Sequence, residues 1–176
     1  MSIQHPFNNK WILWYHNPYD CNWSNDSYNR LYEIDSVDNY WRLYYSMQQY
    51  LPDINEAMYF IMKRKGDDII WPNWEDKYNI NGGFWSFKVS SDHTNEAWKN
   101  LSLYLMSEQL CNNKEDNDKI NGISISPKKC FSIIKIWTSE NMDNISVLNN
   151  NIPFINLKES IYKTHDVNIE NDQKKR

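Results

Sequence analysis

Lys10-Trp11-Ile12-Leu13-Trp14-Tyr15-His16 sets Trp11, Leu13 and Tyr15 against Ile12 and Trp14. A period of two in β-branched and aromatic residues marks a half-buried antiparallel strand. The same character returns at 59–63, 83–89, 122–126 and 132–138, the last placing Ile134 and Ile136 against Lys135 and Trp137. Two other segments keep a helical period. Asp35-Ser36-Val37-Asp38 reads as a capping box in its acidic form, and Val37, Tyr40, Trp41, Tyr44 and Met47 follow at three- and four-residue steps. Thr94 or Asn95 caps a second helix, with Trp98, Leu101 and Leu105 on one stripe and Leu103, Met106 and Leu110 on the next. A weaker helix is expected over 143–149, a polar loop over 112–119 and a frayed tail over 168–176. Strands with interspersed helices and short connections give a single α+β domain, 1–167, whose sheet is covered by helices on one face.

The 176 residues are 40% hydrophobic, 15% aromatic and 24% charged, enough for a folded core. No apolar run approaches the ~18 residues of a membrane helix, and the start lacks the features of a signal peptide. Cys21, Cys111 and Cys130 are widely spaced and odd in number, which reads as free thiols in a reducing compartment. The four histidines lack metal-ligand spacing, so neither metal nor cofactor is expected. A net charge of −4 argues against a general nucleic-acid binder, which needs a broad basic face. It leaves room for a short anionic ligand held by a few focused lysines. The abundance of Asn, Ile, Lys and Tyr resembles an AT-rich coding genome, such as that of a protist or a large DNA virus.

Trp74-Glu75-Asp76 carries the chemistry, in a chain with nine tryptophans. A flat ring beside an ionised carboxylate can stack on a base while the carboxylate accepts from its donor edge. Guanine offers two adjacent donors, N1–H and N2–H₂, which a carboxylate matches in bidentate fashion. A positively charged base adds a cation–π term of about 2 kcal/mol when desolvated. The base of the mRNA cap, 7-methylguanine, is flat, cationic and presents that donor pair. Trp23 lies in an equally polar stretch, Cys21-Asn22-Trp23-Ser24-Asn25-Asp26, and is the other candidate for stacking. Trp71 rivals Trp74; only Glu75 and the Gly82-Gly83 spacing favour Trp74.

Read in order, the motifs resemble the cap-binding 4E family of eukaryotic translation initiation factors. His5-Pro6 followed by Trp11-Ile12-Leu13-Trp14-Tyr15 is similar to the family's His-Pro-Leu-x-x-x-Trp-x-Leu-Trp-Phe start. Asp35-Ser36-Val37-Asp38-Asn39-Tyr40-Trp41 resembles its Asp-Thr-Val-Glu-x-Phe-Trp helix. Trp74-Glu75-Asp76, Gly82-Gly83-Phe84-Trp85, Trp98, Ile136-Trp137-Thr138 and Tyr162-Lys163-Thr164-His165 follow at matching positions. The resemblance implies a curved antiparallel sheet with about three helices on its convex face and a ligand slot on its concave face. It assigns Trp23 and Trp74 to a sandwich around 7-methylguanine, Glu75 to N1–H and N2–H₂, Trp137 to the N7-methyl group and Lys128 to the phosphates. Trp11, Trp14, Trp85 and Trp98 carry over as packing residues. The chain departs from the family where further phosphate-binding bases stand: Phe84, Cys130 and Ile133 occupy those places. Lys129, Lys135 and the run Lys63-Arg64-Lys65 are the candidate substitutes.

The resemblance also implies a back face, formed by His5, Pro6, Val37, Trp41 and Leu103, that docks a partner helix of the Tyr-x-x-x-x-Leu-Φ type. Tyr40 and Tyr44 are expected to face the sheet, leaving Trp41 turned outward. Lys99 and Asn100 stand where the family has an apolar and an acidic residue. The function implied is a non-enzymatic module that binds capped mRNA and recruits it to a scaffold subunit of the initiation machinery. Such a protein is expected to be a monomer on its own, without membrane contact, in the cytoplasm, or the host cytoplasm if viral. A cap-sequestering repressor is the alternative, and a cap-hydrolysing enzyme the third reading. No acid cluster, histidine pair or phosphate-cradling glycine loop supports the last.

Overall fold

The alternation that opens the chain is visible in the computed structural model, which describes residues 5–167 and 169. β1 (Pro6–His16) sends Trp11 and Leu13 into the larger of two apolar clusters and Ile12 and Trp14 into the smaller, on the opposite side of the sheet. Each such side chain is buried, which stabilises the fold by roughly 1.5–3 kcal/mol apiece. β1 lies between β2 (Asn29–Ser36) and β3 (Met58–Lys65). The sheet continues through β6 (Ile120–Pro127), β7 (Phe131–Thr138) and β5 (Gly83–Ser90) to β8 (Ile161–Thr164), every pair antiparallel. The two-residue β4 (Asp68–Ile69) pairs with the end of β3. At the start of β5 the backbone passes so close to β7 that a Cβ on Gly82 would lie 1.8 Å from the Thr138 carbonyl oxygen. Only glycine fits there.

Two long helices, α1 (Val37–Tyr50) and α2 (Thr94–Met106), cover one face of the sheet. α1 begins one residue later than the expected acidic box. Ser36, still paired with Pro6 in extended backbone, is the N-cap, and its Oγ accepts the Asn39 N–H at 3.3 Å. Asp35 accepts instead from the Asn39 side-chain amide at 2.7 Å. Tyr40 and Leu43 are its buried residues, so Leu43 takes the sheet-facing place expected for Tyr44. α2 buries Trp98, Leu101 and Leu105 as the periodicity requires, but His93 is its N-cap and Thr94 its first residue. The Thr94 hydroxyl donates to the Ser90 carbonyl.

The polar stretch over 112–119 contains a helix, α3 (Lys114–Asp118). Asn113 caps it by accepting the Asp116 N–H at 2.8 Å, and the buried Asn117 exchanges hydrogen bonds with the backbone of Cys111. The helix expected over 143–149 is a single 3₁₀ turn, Ile145–Val147, before Leu148 bridges to Cys111. The tail at 168–176 lies outside the described residues except for Ile169.

Candidate functional site

The sheet face opposite the helices opens into a cavity of about 850 Å³. Its floor is built by alternation. Phe60 of β3, Ser124 of β6 and Lys135 and Trp137 of β7 all project to the side away from the helices. Two loops form the walls, one carrying Trp23 and the other Trp74 and Glu75.

The Trp23 loop folds on short side-chain-to-backbone bonds. Asp20 accepts the Asn22 N–H at 2.8 Å, and Asn22 accepts the Ser24 N–H at 3.0 Å. Such turns let polar residues order a loop that has no apolar filling of its own. The indole of Trp23 stays 48% exposed, but one of its faces is covered. His16, at the buried end of β1, stacks on it with centroids 4.2 Å apart and planes within 1°. His16 Nε2 lies 2.8 Å from the Asn22 carbonyl oxygen, which can only accept, so that nitrogen carries the proton. No sequence pattern signals this contact, because a strand end meets a loop through tertiary packing.

The second wall is held from behind by a polar frame. Asp76 accepts the backbone N–H groups of Trp71 and Tyr78 at 3.1 and 2.8 Å. The fully buried Asn79 donates to the carbonyls of Trp71 and Asn73 and accepts from Asn121. Asp76 is therefore committed to the loop. Glu75, one residue away, is exposed, lines the cavity and has no hydrogen bond or ion pair among the described residues. Trp71 packs on Trp14 with centroids 4.7 Å apart, against the smaller core cluster, and it does not line the cavity. Trp74 does. A hydrogen bond from the Asn73 amide to the Asn25 side-chain oxygen joins the two walls.

Trp137 is buried, and its indole N–H donates to Ser124 Oγ at 2.9 Å. His165 packs 5.0 Å from it and 5.7 Å from Phe84. Burial, then the charge of Lys135, pushes the His165 imidazole down to about 4. Lys128 does not line the cavity; it is exposed on the turn between β6 and β7. Lys135 lines it instead, its ammonium 4.0 Å from the Phe84 ring centroid and 6.0 Å from that of Trp74. Burial, then the like charges of Lys128 and Lys163, pushes the Lys135 ammonium down to about 8. Lys135 thus brings a cation into the slot beside Trp74, with Lys128 and Lys163 near enough to act on its charge.

On the helix side, the Val37 N–H donates to the His5 carbonyl at 2.9 Å, and Pro6 pairs with Ser36, which brings His5 and Pro6 against the start of α1. Val37 is exposed and Leu103 partly buried. Trp41 is partly buried too rather than turned outward, wedged edge-on between Tyr40 and Tyr44 at 5.2 and 5.7 Å. Aromatic residues three and four positions on along one helix, Tyr44 and Tyr45, pack against Trp41, which lies on the core edge. The Tyr40 hydroxyl donates to the Lys99 carbonyl at 3.3 Å and so ties α1 to α2 beside Leu103. Lys99 itself pairs with Glu96 at 2.5 Å.

The family model for eukaryotic initiation factor 4E matches residues 6–176. Eukaryotic translation initiation factor 4E of Candida glabrata is 29% identical over 146 residues, covering 78% of this chain and 64% of the relative. Initiation factor NCBP of Arabidopsis thaliana is 30% identical over 149 residues, covering 82% and 63%. This chain thus spans somewhat less than two thirds of the length of these curated relatives. Among solved structures, C. elegans eIF4E-3 in complex with the 4E-binding protein Mextli and a cap analog superposes with a TM-score of 0.78. It is 24% identical, with 96% of each chain covered. Ascaris suum eIF4E-3 with an m7G cap gives 0.68 at 23% identity, covering 82% of this chain and 78% of that one. Likeness at these identities establishes the fold, and the family match over nearly the whole sequence establishes descent: the chain belongs to the eukaryotic initiation factor 4E family.

Proposed function

We propose that this protein binds the 7-methylguanosine 5′ cap of mRNA and recruits it to the translation initiation machinery through the face formed by α1 and α2. The observation that carries the reading is the meeting of Trp23, Trp74, Glu75 and Trp137 around one cavity that Lys135 also lines. Trp23, backed by His16, and Trp74 sandwich the base. Glu75, uncommitted to the loop, accepts N1–H and N2–H₂, while Trp137 meets the N7-methyl group. Lys135 reaches the phosphates, with Lys128 and Lys163 beside it. Residues up to 167 act as the cap-binding domain, without chemistry of their own, in the cytoplasm. His5, Pro6, Val37, Trp41 and Leu103 dock a scaffold subunit or regulator that carries a Tyr-x-x-x-x-Leu-Φ helix. Neighbours described in complex with a cap analog and with a 4E-binding protein agree with both halves of this reading. The test is quenching of tryptophan fluorescence by 7-methyl-GTP against GTP. Preferential quenching by the methylated nucleotide is expected; equal responses, or none, would overturn the reading.

A further inference from the structure

Past Lys135 the same face of the sheet runs on along β5 and β7 to Lys88 and Phe131, positions that the cap reading does not use. β5 and β7 pair with Ser86 opposite Lys135, Lys88 opposite Ile133 and Ser90 opposite Phe131, while β8 sets Ile161 beside Ser86 and Lys163 beside Phe84. The alternate residues Trp85, Phe87, Val89, Ile134 and Ile136 fill the helix-side core. The remaining set therefore shares the face on which Lys135 and Trp137 line the cavity.

This face is mixed in a particular way. Lys88 and Lys163 are exposed, Ile161 is 57% exposed, and the Lys88 ammonium stands 4.4 Å over the Phe131 ring. None of these strand positions is acidic, although the chain as a whole carries a net charge of −4. Lys128 and Lys129 extend the positive charge at the turn before Phe131. From Trp137 to Phe131 the strand runs roughly 20 Å, long enough for a few nucleotides. Flat or apolar surface interleaved with cations is what single-stranded nucleic acid requires: rings and apolar side chains for the bases, ammonium groups for the phosphates.

We propose that this face of β5, β7 and β8 binds the single-stranded RNA immediately following the cap, with Lys88 and Phe131 as its distal contact. The inference rests on the cap reading for its direction, because the nucleotide chain leaves the slot past Lys135. The Lys88 ammonium meets a phosphate, and the Phe131 ring takes a base once that ammonium swings aside.

Three ligands test it: 7-methyl-GTP, a capped pentanucleotide and the same pentanucleotide uncapped. Wild-type protein should hold the capped pentanucleotide about five- to tenfold more tightly than 7-methyl-GTP at low salt, the contribution of one stacked base and one or two phosphate contacts. That gain should shrink as salt rises. Lys88→Glu and Phe131→Ala should abolish the gain and leave 7-methyl-GTP affinity unchanged; Lys88→Glu decides alone should Phe131→Ala fail to fold. Equal wild-type affinity for the two capped ligands, or a gain that survives Lys88→Glu, overturns the proposal. Wild-type protein that ignores 7-methyl-GTP sinks the cap reading instead. In that case Lys88-dependent binding of the uncapped pentanucleotide upholds the RNA-binding face, and its absence overturns it.

Discussion

Trp74 and Trp71 lie three residues apart in the same loop, yet one lines the cavity and the other packs on Trp14. Base–aromatic stacking contributes about 1–3 kcal/mol per base. Trp74→Ala or Trp23→Ala should therefore cost at least tenfold in affinity for 7-methyl-GTP, read by titration, with the fold intact by circular dichroism. Trp71→Ala should act on stability instead, and the assignment of the sandwich is wrong if the pattern is reversed. Glu75→Gln keeps the shape but turns one acceptor into a donor, removing a charge-assisted hydrogen bond of about 1.5–3 kcal/mol. The methylguanine cap should then lose its advantage over an adenine analogue in the same titration; an unchanged preference refutes the role. Lys135 gives the slot a pH dependence. Its ammonium is charged below about 8 and neutral above, so the affinity ratio of 7-methyl-GTP to 7-methylguanosine should be highest below pH 8 and fall as pH rises through it. Taking the ratio removes titration of the base itself. A flat ratio would show that Lys135 does not meet the phosphates. A lysine among the isoleucines of β7 was legible as an outward position, but its contact with Phe84 of the neighbouring strand was not.

At the scale of elements, α1 and α2 present the proposed docking face while the two loops present the slot, on opposite sides of the sheet. The two should therefore be separable. Trp41→Ala is expected to leave retention on cap resin intact and to abolish co-purification of a partner helix, since aromatic anchors in such grooves often contribute about 2 kcal/mol or more. Trp41 is wedged between Tyr40 and Tyr44, so the variant will also lower the unfolding midpoint. Unfolding outright, or undiminished partner recovery, would place Trp41 in the core alone. The central strands and the two long helices were legible because each buries a regular stripe. β2 and β8 were not, for they are the sheet's edges. In β2 only Ile34 and Ser36 are buried, and β8 buries no residue at all. α3 escaped because its one buried side chain is Asn117, held by hydrogen bonds rather than by apolar contact.

Over the whole molecule, the sheet separates two apolar cores of unequal size, and the smaller one is also the floor of the slot. His165 seals that floor against Trp137. Its folded pKa of about 4 lies below the ordinary value of 6.5, so the unfolded chain takes up the proton first as pH falls. The stability it contributes is complete above about pH 6.5 and is lost as pH drops through 4, to a total of about 3 kcal/mol. Thermal midpoints measured across that window should fall in the wild type, and less steeply in His165→Phe. Equal slopes would mean that other groups govern the acid limb. Trp23 and Trp74 were legible in the sequence because tryptophans in polar stretches stand out, whereas Trp137, inside the apolar run of β7, was named by the family resemblance alone. The side chains that hold them, His16, Asn79, Asn121 and the Asn25–Asn73 pair, were not, because their partners are brought together only by the finished sheet.

That last pair bears on kinetics. The Asn73–Asn25 bond across the cavity and the stacking of His16 behind Trp23 are made by the chain's own residues, so both walls should be ordered as the chain folds. An incoming nucleotide then meets rings already in place, so its observed association rate should climb linearly with concentration and show no slow ordering phase. Differences in affinity among related ligands should accordingly appear in how long each one stays.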